Sequence, residues 1–141
     1  MGTFFSVQHA VKQMVKQSTG GSVVMVASVA ATCAIPSQRL SGYGMSKGGV
    51  RILGQHLAVE LAPLNIRCNT LSPGVISTDM TATLAESHPE LLDVFTNEPP
   101  LRRMGDRTDL MAAVVYLLSD ASAYTTGTDL LVTGGLHAGR I

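Results

Sequence analysis

The sequence contains no tryptophan and only three tyrosines and three phenylalanines in 141 residues. So sparse an aromatic set offers no stacking platform for nucleobases. Charge is scarce too: charged residues make up 14% of the chain, ten basic against ten acidic, for a net charge of zero. Phosphate backbones demand concentrated positive charge, which no segment here supplies, so no nucleic-acid partner is expected. The apolar run Met111 to Leu118, even with Leu110 before it, falls well short of the roughly 20 residues that cross a bilayer, so no membrane span is expected. The N-terminus turns polar by Gln8, His9 and Lys12, unlike a secretory signal. Cys33 and Cys68 form no CxxC or metal-spaced pair, and His9, His56, His88 and His137 share no ligand-like spacing. The expectation is therefore no metal, two reduced thiols, and a cytoplasmic protein. Met1 to Ser6 (MGTFFS) fits the loose N-myristoylation pattern, but Phe4 and Phe5 open an apolar helical stripe and are read as core residues.

Apolar residues make up 45% of the chain, enough for one domain with a real core. Phe4, Val7, Val11, Met14 and Val15 recur at helical spacing, and the turn-forming Ser18–Gly21 stops that helix. Ser22–Ala27 (SVVMVA) reads as a strand buried on both faces of a parallel sheet. A loop with Pro36 follows from Ser28 to about Leu40. From Ser41 to about Leu61 a second helix places Val50, Leu53, Leu57 and Leu61 on one side. Asn65–Leu71 reads as a second strand, which Ser72-Pro73-Gly74 is expected to break. Residues 75–104 carry no strong strand and read as a lid with short helices. Asp109–Leu118 is a helix with Thr108 or Asp106 as its N-cap, and Thr128–Val132 a third strand. This alternation predicts an α/β domain with a parallel sheet and right-handed crossovers.

Chemistry concentrates at Tyr43-Gly44-Met45-Ser46-Lys47. Tyrosine and lysine four apart share one helix face. A free phenol has a pKa of about 10, and a neighbouring ammonium favours its ionised form, which makes the pair a candidate acid/base. The same spacing also arises on ordinary solvated helices. The small residues around the pair (Ser41, Gly42, Gly44, Ser46, Gly48, Gly49) are costly in a helix interior and predict close approach by a ligand or a second backbone. Ser28 stands where a strand ends, the place where open α/β sheets bind ligands, and is either a carbonyl-orienting donor or a turn cap. Ser72-Pro73-Gly74-Val75-Ile76-Ser77-Thr78-Asp79 leaves a second strand at the same sheet edge, as an amide-binding turn or a plain strand exit.

These elements, in this order, resemble the short-chain dehydrogenase/reductase family. The resemblance rests on VVMVAS ending in Ser28, YxxxK, R-x-N-x-x-x-P-G from Arg67 to Gly74, and G-x-D-x-x-V-x-G-G from Gly127 to Gly135. The spacing of Ser28 and Tyr43 is most like that of the fungal sugar-alcohol and ketose reductases. The resemblance implies the C-terminal half of a Rossmann-like, doubly wound parallel sheet of about three strands with flanking helices. It implies hydride transfer between a nicotinamide and an alcohol or ketone. Ser28, Tyr43 and Lys47 would be catalytic, with Tyr43 the acid/base and Lys47 also holding the nicotinamide ribose. Pro73, Gly74, Ile76 and Thr78 would join Tyr43 and Lys47 in binding the cofactor, NADP or NAD, with NADP favoured. A homo-oligomer would form through helices 3–17 and 41–62.

Several family features are missing from the 141 residues: the TGxxxGxG phosphate loop, the NNAG strand, the acidic or basic residue that selects the cofactor, and the catalytic Asn. Thr133 stands where the family usually has Asp. The chain is accordingly expected to be a truncated catalytic domain (1–141, lid 75–104) with an incomplete cofactor site. The alternative is an inactive isoform or fragment acting only through its interface helices.

Overall fold

A computed structural model describes residues 1–139. The first helix, α1 (Gly2–Gln17), ends where Ser18 turns left-handed (φ 56°) and its N–H returns to the Val15 carbonyl. Strand β1 (Gly21–Val26) follows at once, then a 3-10 turn, Val29–Ala31, and the long helix α2 (Ser41–Leu61). A second 3-10 turn holding Pro63 leads into β2 (Ile66–Pro73). The segment beyond carries two short helices, α3 (Asp79–Ser87) and α4 (Glu90–Asn97). Helix α5 (Arg107–Leu118) and strand β3 (Asp129–Val132) complete the α/β fold. The sheet is parallel, in the order β1-β2-β3, with Val23 opposite Cys68 and Thr70 opposite Asp129.

Side chains alternate across a strand, so adjacent residues report on opposite faces. Val23, Met25, Ile66 and Cys68 join Ala58 and Leu61 of α2 and Val7 of α1 in the main core. The residues between them face α5: Ser22 Oγ donates to the Leu117 carbonyl at 2.8 Å, and Arg67 reaches the same carbonyl at 3.1 Å. The steps from β1 to β2 and from β2 to β3 run the same way across the sheet but on opposite faces. The two crossovers are therefore of opposite hand, and one departs from the expected right-handed rule. The long segment from Gly74 to Asp106 permits this, because it carries the chain around the sheet end instead of through a short loop.

Four local expectations need correction. Phe4 and Phe5 are not core residues; they are 42% and 50% exposed and stack edge to face with each other. Only Val7 of α1 is fully buried, with Val11 and Met14 packed beside it, while Val15 points outward, because the helix rests on its neighbours along a narrow stripe. β1 meets α1 and α2 on one face and α5 on the other, but it is an edge strand and its last residue, Val26, is half exposed rather than buried. Ser72-Pro73 does not break β2, which pairs with β3 through Pro73; a proline at the last strand position loses little pairing. Among the described residues no helix is long and apolar enough to cross a membrane.

Candidate active site

The site is assembled from strand ends and one helix start. Ser28 follows β1 directly, in extended conformation, and its Oγ accepts the Ala30 N–H at 3.2 Å. That bond uses an oxygen lone pair and leaves the hydroxyl proton free to donate. The two roles open to Ser28 from sequence are thus compatible: it caps the turn and still offers a donor.

Gly44 explains how α2 approaches this turn. A Cβ at Gly44 would sit 2.9 Å from the Ala30 carbonyl oxygen, so the first turn of α2 meets the Val29–Ala31 turn only because residue 44 has no side chain. The close neighbour predicted from the small residues is, at Gly44, a second backbone. Gly42, Gly48 and Gly49 have open space around them. One turn along, Lys47 Nζ donates to the Val26 carbonyl at 3.0 Å and lies 5.8 Å from the centre of the Tyr43 ring. Lys47 thereby ties the helix that carries Tyr43 to the strand that delivers Ser28.

The end of β2 forms the opposite wall. The Gly74 N–H donates to the Val132 carbonyl, and a Cβ there would meet the Thr133 backbone at 2.8 Å. Ile76 forms an isolated parallel bridge with Gly105 through Gly105 N–H to Val75 O and Ser77 N–H to Gly105 O. Amides alternate along an extended segment, so the Ile76 N–H is turned away from that bridge. Thr78 caps α3: its Oγ1 accepts the Thr81 N–H, and Thr81 Oγ1 accepts the Thr78 N–H.

All seven residues singled out from sequence, Ser28, Tyr43, Lys47, Pro73, Gly74, Ile76 and Thr78, line one cavity of about 490 Å³. This lies in the size range of small-molecule sites. A larger groove of about 660 Å³ lies behind the 30–45 loop but contains neither Tyr43 nor Lys47. The far side of the 490 Å³ cavity was not legible residue by residue. Met80, Leu84, Phe95, Arg107 and Leu110 form it, and Gln38 of the loop after Ser28 joins the near side. Only Phe95, buried on one face of α4, carried a sequence signal, the apolar spacing within ELLDVFTN.

The donor set fits the nicotinamide end of a dinucleotide. Lys47 offers a cation to ribose hydroxyls, the apolar strand ends offer a face for a flat ring, and the Ile76 amide offers a donor to a carboxamide.

The chain is similar along nearly its whole length to several known proteins. A family model described as enoyl-(acyl carrier protein) reductase matches residues 1–137. D-arabinitol 2-dehydrogenase [ribulose-forming] of Candida tropicalis is 37% identical over 136 residues, which cover 96% of this chain and 48% of that protein. L-rhamnose 1-dehydrogenase (NAD(P)(+)) of Sphingomonas sp. (strain SKA58) is 39% identical over 137 residues, covering 96% of this chain and 52% of its own length. The chain spans about half the length of the curated relatives it matches. Among solved structures, a short-chain type dehydrogenase/reductase from Mycobacterium marinum superposes with a TM-score of 0.88 at 38% identity, over 96% of this chain and 52% of that one.

Proposed function

The chain belongs to the short-chain dehydrogenase/reductase family, and from that membership we propose that its cavity is the reaction end of an NAD(P)-dependent alcohol/ketone oxidoreductase site. The observation that carries this reading is the convergence of Ser28, Tyr43 and Lys47 with the β2 exit on a single cavity. When bound, the nicotinamide accepts a hydride from the alcohol carbon or supplies one to the carbonyl carbon. In the oxidation direction Tyr43, as phenolate, takes the hydroxyl proton while the C–H bond is lost as hydride and C–O becomes C=O. In reduction the Tyr43 phenol returns that proton to the oxygen. Ser28 donates a hydrogen bond to the same oxygen and stabilises the negative charge that develops on it. Lys47 would hold the ribose hydroxyls, and Pro73, Gly74, Ile76 and Thr78 would hold the carboxamide side. Sugar names among the relatives support a small polyhydroxylated or otherwise functionalised alcohol or ketone as substrate.

Fluorescence titration with NADPH and NADH, followed by steady-state rates, tests the assignment. Tyr43→Phe is expected to lower kcat at least a hundredfold while shifting the cofactor Kd by less than about threefold, some 0.65 kcal/mol. Equal turnover by the variant removes Tyr43 from the proton transfer.

A further inference from the structure

Hydrogen-bonding capacity is unevenly distributed around the cavity. Near the reacting end lie Ser28, Tyr43 and Lys47. On the lid side Met80, Leu84, Phe95 and Leu110 offer a substrate no polar partner. Of the threonines there, Thr81 shares its one hydroxyl proton between the Thr78 carbonyl at 2.8 Å and the Ile76 carbonyl at 3.1 Å, and Thr78, whose Oγ1 accepts the Thr81 N–H, belongs to the carboxamide side of the site as read above. Among the described residues lining the lid side, Arg107 is the one cation.

Arg107 opens α5, and its Nη2 donates to Asp79 Oδ1 at 3.1 Å, across to the first residue of α3. The contact engages one nitrogen and one oxygen. Both partners are exposed, with the Asp79 side chain fully so, and exposed pairs of this kind are weak and readily exchanged. A guanidinium presents five donors in a planar fork suited to two oxygens of one anion. A carboxylate on a ligand in the cavity would take both branches of that fork, a stronger contact than the single bond to Asp79.

We propose that Arg107 is a specificity-determining residue that exchanges Asp79 for the carboxylate of the substrate, so that the preferred substrates are alcohols or ketones bearing an acid group. This rests on the oxidoreductase reading above and assigns the lid end of the same cavity. The apolar lid wall sharpens the selection, because a neutral polyol finds few partners there while an acid finds one fitted to its charge.

The test uses pairs in which a neutral group replaces the carboxylate: D-gluconate against D-sorbitol, and 3-hydroxyhexanoate against 3-hexanol. The acid member of each pair is expected to have a kcat/KM at least tenfold above its neutral counterpart. Arg107→Met is expected to reduce that ratio at least tenfold, and Arg107→Lys, which keeps the charge without the fork, to restore part of it. Asp79→Asn breaks the same ion pair and is expected to keep or raise the acid preference; if it instead reproduces the Arg107→Met loss, the ion pair is structural and the proposal fails. Gluconate binding measured by calorimetry separates this proposal from the reaction assignment. Binding lost in Arg107→Met upholds the role of Arg107 even if no alcohol in the panel is oxidised. Binding equal in both proteins, or absent from the unmodified one, overturns it even if turnover is high.

Discussion

At the scale of single residues, motif positions divide between chemistry and carpentry. Arg67 and Asn69 belong to the R-x-N-x-x-x-P-G pattern but lie away from the cavity. Arg67 donates to the carbonyls of Leu117, Ser119 and Thr125. The Asn69 side chain donates to the Thr125 carbonyl at 2.9 Å and accepts the Thr128 N–H at 3.1 Å. Together they pin the connection from α5 to β3 against β2, and β2 in turn delivers Pro73 and Gly74 to the site. Arg67→Leu would leave three carbonyls without that donor, so a loss of about 3 kcal/mol in unfolding free energy is expected. Urea denaturation of the two proteins reads this directly, and a change below about 0.5 kcal/mol, the usual scale for surface substitutions, would show that the clamp is dispensable. Cys68 is a contrasting case: burial pushes its thiol up to about 11, and it serves the core as a small apolar side chain.

At the scale of elements, the start of α5 is the most elaborated feature. Asp106 caps the helix by accepting the Thr108 N–H at 2.8 Å, while Asp109 accepts the Asp106 N–H and a forked pair of bonds from Arg103 at 2.7 and 2.9 Å. The Arg103 bonds, then the Asp106 N–H, hold the Asp109 carboxyl far below the ordinary carboxylate range. The Thr108 N–H and hydroxyl lower that of Asp106. A carboxylate depressed in the folded state contributes stability that is fully present above its unfolded pKa of about 3.9 and is lost as pH falls through the lower folded value. Stability is therefore expected to fall as pH drops below about 4, and Asp109→Asn to flatten that fall. Denaturation midpoints from pH 6 to pH 2 check it, and an unchanged acid limb in the variant would place the responsible groups elsewhere. The same helix start positions Arg107 at the lid, so the cap also fixes the far wall of the cavity.

At the scale of the whole molecule, the three-stranded sheet is covered by α1 and α2 on one face and by α5 on the other, and α2 turns an apolar seam outward. Met45, Ile52 and Val59 are exposed at 77%, 44% and 77%, seven residues apart, which places them on one side of the helix. Exposed apolar seams of this kind mark association surfaces. Self-association through this seam and the adjoining α1 is expected, with Val59→Lys shifting the protein toward monomer. Sedimentation equilibrium measures the shift, and an unchanged mass in the variant would remove α2 from the interface.

Local chemistry made most of the elements legible. Helical and strand periodicities marked α1, α2, α5 and the three strands, and YxxxK, the serine at a strand end and the Pro-Gly exit marked the near wall of the cavity, because each depends on spacings within one short segment. The face on which α5 packs, the opposite hands of the two crossovers and the exposure of Phe4 and Phe5 were not legible, since each depends on what lies across the sheet. Gly44 belongs to both levels: its lack of a side chain is written in the sequence, but the Ala30 carbonyl that requires it comes from another turn. Arg107 and the apolar lid wall belong wholly to the second, because residues nearly thirty positions apart meet there only once the chain has passed around the sheet end.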